Sequence, residues 1–473
     1  MRKVDLKMRP AGRHLLTIGR DLIQDKYAAV VEIVKNGFDA DASEIHIRIY
    51  QEENKNIISI EDDGHGMSPS VISGAWLVPS TDDKLLRKRS PGKKRVMQGR
   101  KGVGRYAVSI LGSSTELITV DESGDRSRVY IDWGDFETAE YLDDVFVSIE
   151  TDKVNKNSGT KIISYADFGE DFAWSKGDVD KLLFELSKLV SPVNSDEESF
   201  SVFLSVDDAI WGEGFEKKKV ESVQLIEFFD YRIHGELKPD GDMSLVFETP
   251  IDKDFNNEII GLHFGENVCG EVKFDIRVFD RDKDAISSLI SRGLKDSSGN
   301  YLGKNQARQI LNTYNGVGVY RNGFRIRPLG DPEYDWLELN KQRVQNPSMK
   351  IGSNQAIGYV FVQSEELSGL EEKSARDGLK ENPSFVCLKK VSRKVIGELE
   401  SRRFAIRRAQ SISAKSFSKE SKQKLTESEK ILNKISRILE TSRIDESSKK
   451  KIVGLVDKEQ KAFSRFVDEV TEV

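Results

Sequence analysis

Only two cysteines occur in 473 residues, Cys269 and Cys387, far apart and without the spacing of a metal-binding pair. A disulfide-built scaffold is thereby excluded, and a reducing compartment fits. The five histidines form no cluster, which argues against a zinc centre. No apolar run approaches the roughly 20 residues that span a bilayer. The opening Met1-Arg-Lys-Val-Asp5 lacks an apolar signal core, so a cytoplasmic location without membrane contact is the expectation. Also missing is a Gly-x-x-x-x-Gly-Lys-Ser/Thr loop, and the glycine spacing is not the Gly-x-Gly-x-x-Gly of a dinucleotide fold. A net charge of −6 gives no global attraction to nucleic acid.

What is present is charge, 32% of residues against 37% hydrophobic, as expected of a chain with a highly charged surface. The length exceeds one hydrophobic core and predicts two or three domains. Three short segments carry chemistry. In the first, Tyr27 through Phe38 reads as a helix that is apolar nearly all round, and hence mostly buried. Glu32, Asn36 and Asp39 stand at i, i+4 and i+7, on one face of it. Buried carboxylates need partners. Either the stripe is a solvated polar face, or a metal ion and a water satisfy it. In the second case Asn36 offers a neutral oxygen to Mg²⁺, and Glu32 can hold or deprotonate a water.

The second segment, Asp62-Asp-Gly64-His-Gly66-Met67, follows the strand-like Asn56 to Ile60. Its glycines let the backbone turn sharply against a flat ligand, and Asp62 can accept from an exocyclic amine. An ordinary Asp-Gly turn reads the same way. The third, Gly99-Arg-Lys101-Gly102-Val103-Gly104, opens a predicted helix over Arg105 to Leu111 and can present backbone N–H groups to phosphate.

The ordered set resembles the GHKL superfamily, which holds gyrase B subunits, ninety-kilodalton heat-shock chaperones, sensor histidine kinases and MutL. A fourth box, Ser158-Gly159-Thr160-Lys161-Ile162, is similar to the Gly-Thr that closes the family's adenine site. The run Gly99 to Tyr106 looks closest to the chaperone branch. The opening Arg13 to Gln24 is similar to MORC-type and bacterial chaperone-like ATPases. The resemblance implies an α+β chain. A Bergerat-type sandwich, a mixed sheet covered by helices, comes first over 1–195. A transducer-like α+β domain follows over 196–395, then a charged helical region over 396–473.

The resemblance also implies ATP and Mg²⁺ as cofactors. Glu32 would be the general base and Asn36 the metal ligand, with Asp39 beside them. Asp62 would contact adenine, Gly64, Gly66 and Met67 would shape the base pocket, and Thr160 would support Asp62 through water. Gly99, Lys101, Gly102, Val103, Gly104 and Arg105 would lie under the phosphates, with Lys84 reaching in from the lid. Asp63 stands where many members have Asn, Thr or Ser, and Arg105 where chaperones carry an aromatic. Transducers of the family return a cation or amide to the terminal phosphate; Lys341, Gln342 and Arg343 are the candidates, of which Lys341 and Arg343 are carried as catalytic.

From Lys84 through the third box to Arg105 there are ten cations and no acid. The run reads either as a solvated loop or as a mobile lid that meets phosphate and double-stranded DNA. The segment Gly316 to Arg327 reads as a hairpin about Asn322-Gly323. Lys373 to Leu379, with Arg376, loosely resembles a chaperone middle domain but also reads as a plain surface turn. Beyond Glu400, Ile431, Leu432, Ile435, Ile438 and Leu439, then Phe463, Phe466, Val467 and Val470, recur at helical spacing. They read as packed helices or as a dimer-forming arm. The expected activity is an ATP-dependent homodimeric clamp, with Met8 to Asp25 crossing between subunits. It would act on DNA or in phage defence beside a separate effector protein; a protein-remodelling chaperone is the alternative, and a sensor kinase fits least.

Overall fold

The computed structural model describes residues 7–21, 23, 25–79, 89–98, 104–169, 172–189, 200–207, 212, 214–221, 224–251, 257–295, 302–373 and 377–409. Lys84, Gly99, Lys101, Gly102, Val103, Arg376 and the two apolar stripes of the tail lie outside them.

Isoleucines at every second position, Ile45, Ile47 and Ile49, turn one face of strand β1 (Glu44–Glu52) into the core. Its antiparallel neighbour β2 (Lys55–Asp62) adds Ile58 and Ile60. The sheet continues through β3 (Ser114–Val120), β4 (Asp125–Asp132), β5 (Ile149–Lys153) and β6 (Gly159–Asp167). Over it lie helix α1 (Lys26–Asp39) and helix α2 (Lys176–Ser187), whose Val30, Val34, Val179 and Leu182 join the isoleucines in one core.

Two strands that follow, β7 (Ser201–Val206) and β8 (Phe215–Lys219), belong to this same sheet. Its order is β5-β4-β3-β6-β2-β1-β7-β8, with β7 parallel to β1. The first layer therefore extends past the boundary expected at residue 195. β7 alternates buried and half-buried residues and completes the hydrogen bonds of β1, which would otherwise be an open edge.

The second sheet takes β9 (Tyr231–Leu237), β10 (Asp242–Glu248), β11 (Glu258–His263), β12 (Val272–Val278), β13 (Gly316–Arg321), β14 (Phe324–Arg325) and β15 (Ala356–Val362). Its order is β11-β10-β9-β12-β15-β13-β14. Alternation in β15 divides its two faces. Ala356, Val360 and Val362 meet helix α6 (Pro383–Ala409), whereas Ile357 and Tyr359 meet α3 (Lys283–Ser291) and α4 (Lys304–Tyr314). A short helix, α5 (Leu339–Gln345), precedes β15.

Helix α6 (Pro383–Ala409) runs unbroken across the boundary expected at 395/396. Leu388, Val391, Val395, Leu399 and Ile406 keep one apolar stripe on the second sheet, so its packing continues past that point. No described helix is long and apolar enough to cross a membrane.

The two layers are joined by the β13–β14 hairpin. Phe324, just past the Asn322-Gly323 turn, sits in the first core with its ring 4.7 Å from Phe38 of α1.

Candidate functional site

Helix α1 begins at Asp25, whose carboxylate accepts from the Ala28 N–H at 2.7 Å. It runs without proline until its geometry brings Glu32 and Asp39 into the interior, 6% and 3% exposed, with Asn36 half-buried between them. Lys35 Nζ stands 3.4 Å from Glu32 Oε1. Burial lowers the pKa of Lys35, against which the Glu372 carboxylate pulls upward, while Arg327 and Arg325 push down and Asp39 pulls up.

The lower half of α1 lies close on β2 because Gly37 has no side chain. A Cβ there would come within 3.2 Å of the Asp62 Cβ and 2.6 Å of Ile45 Cδ1. Asp62 is thereby held beside the Asn36 turn. Its carboxylate accepts from the Gly64 N–H at 2.9 Å and from the Thr160 N–H across the β2–β6 ladder. Burial raises its pKa to about 6, although both hydrogen bonds oppose the rise.

Gly66 adopts φ +67°, and a Cβ on it would stand 1.9 Å from the Val120 carbonyl oxygen. The turn is therefore pressed against the end of β3. Thr119 fixes it there, accepting from the Met67 N–H at 2.9 Å and pairing with the Thr160 hydroxyl at 3.0 Å. Thr160 thus supports the Asp62 turn by direct bonds. Thr119, its ladder partner, was not singled out from the sequence.

Several polar residues of the boxes also make contacts within the fold. Asp39 accepts from the Gln98 N–H at 2.7 Å, anchoring the chain just before residue 99. Asp63 accepts from the Ser43 and Glu44 N–H groups at 2.7 and 2.9 Å. Arg105 donates to the Ala75 carbonyl, pinning the Gly104–Ile110 turn to the neighbouring helical segment Ile72–Trp76. Within the basic run, Arg95 is buried. It donates to the Ala42 carbonyl at 2.6 Å and lies 4.3 Å from the centre of the Phe38 ring. Lys93 donates to Ser43 Oγ at 2.7 Å, and Arg89 to the Lys94 carbonyl at 2.9 Å. The described part of this run is a strap tied to the α1–β1 turn through Ala42 and Ser43.

Lys341 and Arg343 are exposed on α5, where Arg343 reaches Asn354 at 3.5 Å within its own domain. The second-domain cations set against α1 are Arg325 and Arg327. Arg327 pairs with Asp25 at 3.3 Å and with Glu185 of α2 at 3.1 Å; Arg325 pairs with Glu185 at 2.5 Å. Alternation past the hairpin turn puts these two arginines and Phe324 within four residues. That signal was readable in the sequence.

An oxygen donor at Asn36, with no cluster of three His, Cys, Asp or Glu among the described residues, suits a small ion carried largely by substrate phosphates. An acceptor shielded from water, Asp62, stands at a turn whose Gly64 and Gly66 carry no side chain, which suits a planar base bearing an amine.

Residues 25–160 match the family described as histidine kinase-, DNA gyrase B-, and HSP90-like ATPase. Over 131 residues, 28% of this chain, the sequence is 30% identical to the DNA mismatch repair protein MutL of Clostridium botulinum (strain Kyoto / Type A2). That stretch spans only 19% of the relative's length. The crystal structure of the N-terminal domain of a DNA repair protein aligns over 83% of this chain and 98% of its own, at 13% identity and a TM-score of 0.45.

Proposed function

Residues 25–160 belong to the GHKL superfamily of ATPases, and from that premise we propose that the chain is an ATP-driven conformational switch. Adenine would hydrogen-bond through its amine to Asp62, over the turn shaped by Gly64, Gly66 and Met67. Asn36 would hold Mg²⁺, whose charge when bound offsets that of the phosphates. Glu32 would orient a water and take its proton as the new bond to the terminal phosphorus forms and the bond to the ADP oxygen breaks. Gly99, Gly102 and Gly104 would lie under the phosphates.

The observation that carries this reading is the convergence of α1 on β2. One helix face with Glu32 and Asn36 is held beside the Asp62 carboxylate, against which Gly37 and Gly64 pack closely. Phosphate release from Mg-ATP tests it, with Glu32→Ala as the variant. Turnover in the wild type and its loss in the variant are expected; equal turnover in both removes Glu32 as base.

The finer role is a clamp in which ATP brings two copies together on double-stranded DNA. A relative named for DNA mismatch repair supports DNA over a protein client. Stimulation of turnover by duplex DNA, and not by unfolded protein, is the expected result. The reverse preference would favour the chaperone reading. Glu32→Ala should accumulate an ATP-bound dimer, and a monomer at saturating ATP ends the clamp.

A further inference from the structure

The helix carrying Glu32 and Asn36 is gripped near both ends by one short segment of the second domain. At its C-terminal end Phe324 packs on Phe38, with ring centres 4.7 Å apart. At its N-terminal end Arg327 lies against the capping carboxylate, Nη1 at 3.4 Å from Asp25 Oδ1 and Nη2 at 3.3 Å from Oδ2. The same Oδ1 accepts the Ala28 N–H that starts the helix.

The other side of this joint is stiff. Glu185, 3% exposed, receives Arg325 at 2.5 Å and Arg327 Nε at 3.1 Å, and Arg325 also reaches Asp331 at 2.7 Å. The Arg325 N–H donates to the Leu189 carbonyl at 3.1 Å, and Lys188 Nζ donates to the carbonyls of Asn315 and Gly330. Buried ion pairs of this kind contribute little net stability, but losing one partner strands a charge. They hold a geometry more than they hold the fold. Glu32 follows Asp25 by seven residues, about 10 Å along a rigid rod, so a tilt at the cap moves the catalytic carboxylate.

We propose that Arg327 is a positioning residue for hydrolysis, joining Asp25 at the α1 cap to Glu185 of α2 and so setting Glu32 against the reacting water only while the second domain is docked. This rests on the ATPase reading above. It differs from a direct phosphate contact, because Arg327 acts through the helix cap.

The test uses the full chain and measures kcat and KM for Mg-ATP together with the unfolding midpoint. Arg327→Gln and Asp25→Asn are the probes, the second keeping an oxygen for the Ala28 N–H. Each should lower kcat about tenfold or more, as misplacement of a reacting group does, with KM changed less than about threefold. The double variant should be no slower than the worse single one, since both remove the same link. Arg327→Lys should recover part of the rate. Phe324→Leu loosens the same joint by packing alone and is the structural comparison. A kcat loss in Arg327→Gln no larger than that in a Phe324→Leu protein of equal midpoint would overturn the proposal, as would additive losses in the double variant. If the wild-type chain shows no Mg-ATP turnover, the ATPase reading falls and takes this proposal with it.

Discussion

Lys35 Nζ lies 3.4 Å from Glu32 Oε1, one turn along the same helix and largely shielded from water. An ammonium there favours the ionised carboxylate, which is the form a general base needs. The groups facing Lys35 are Glu32 and Asp39 on its own helix and Glu372, Arg325 and Arg327 from the second domain. Lys35→Met removes the contact with Glu32 and should therefore lower kcat for Mg-ATP at neutral pH. Unchanged turnover would show that Lys35 does not support the base.

Glu32→Gln keeps the size of the side chain and removes its basicity. Turnover should fall by about 10²–10⁴-fold, the usual contribution of a general base, while nucleotide affinity stays within a few-fold. Loss of binding together with turnover would place Glu32 in the binding site only.

Asp62 gives a pH-dependent signature in the protein without nucleotide. Its pKa is raised from 3.8 to about 6 by burial, so between those values the folded state binds more protons than the unfolded one. Stability contributed by this group is thus fully present below about pH 4 and is lost as pH rises through 6. The unfolding free energy of Asp62→Asn relative to wild type should grow across that window, to at most about 3 kcal/mol, and then level off. The same variant should fail to bind ATP. A flat difference from pH 4 to 7 would contradict the buried, charge-penalised carboxylate.

Much of this site was legible before the structure. The spacing of Glu32, Asn36 and Asp39 named the helix face, and the structure brings the boxes at Asp62 and Thr160 together across one ladder. The motif makes Asp39 and Arg105 expected ligand contacts and says nothing of the backbone partners they have in the fold. Those partners, Gln98 and Ala75, come from segments whose approach depends on tertiary packing. Strands β7 and β8 were assigned to the second domain for the same reason. Alternation marks a strand but does not say which sheet it joins.

Gly66 should tolerate no side chain. Gly66→Ala combines φ +67° with a Cβ 1.9 Å from the Val120 oxygen, so the turn must move away from β3. Destabilisation above about 1 kcal/mol and weakened ATP binding are expected by thermal unfolding and titration. Wild-type behaviour in both would mean the turn does not press on β3 in solution.

Phe324→Ala should cost about 3–5 kcal/mol, as for a fully buried aromatic, because the ring fills the first core from the second domain. Separate unfolding transitions for the two layers, measured by calorimetry, are the expected sign of a weakened joint. A single transition at the wild-type midpoint would show that Phe324 carries little of the contact.

Titration calorimetry of the purified full chain with a non-hydrolysable ATP analogue, with and without Mg²⁺, meets the central claim most directly. The expected result is saturable binding of one nucleotide per chain, stronger with Mg²⁺ and absent in Asp62→Asn. No binding by the folded wild-type protein in the presence of Mg²⁺ would contradict it.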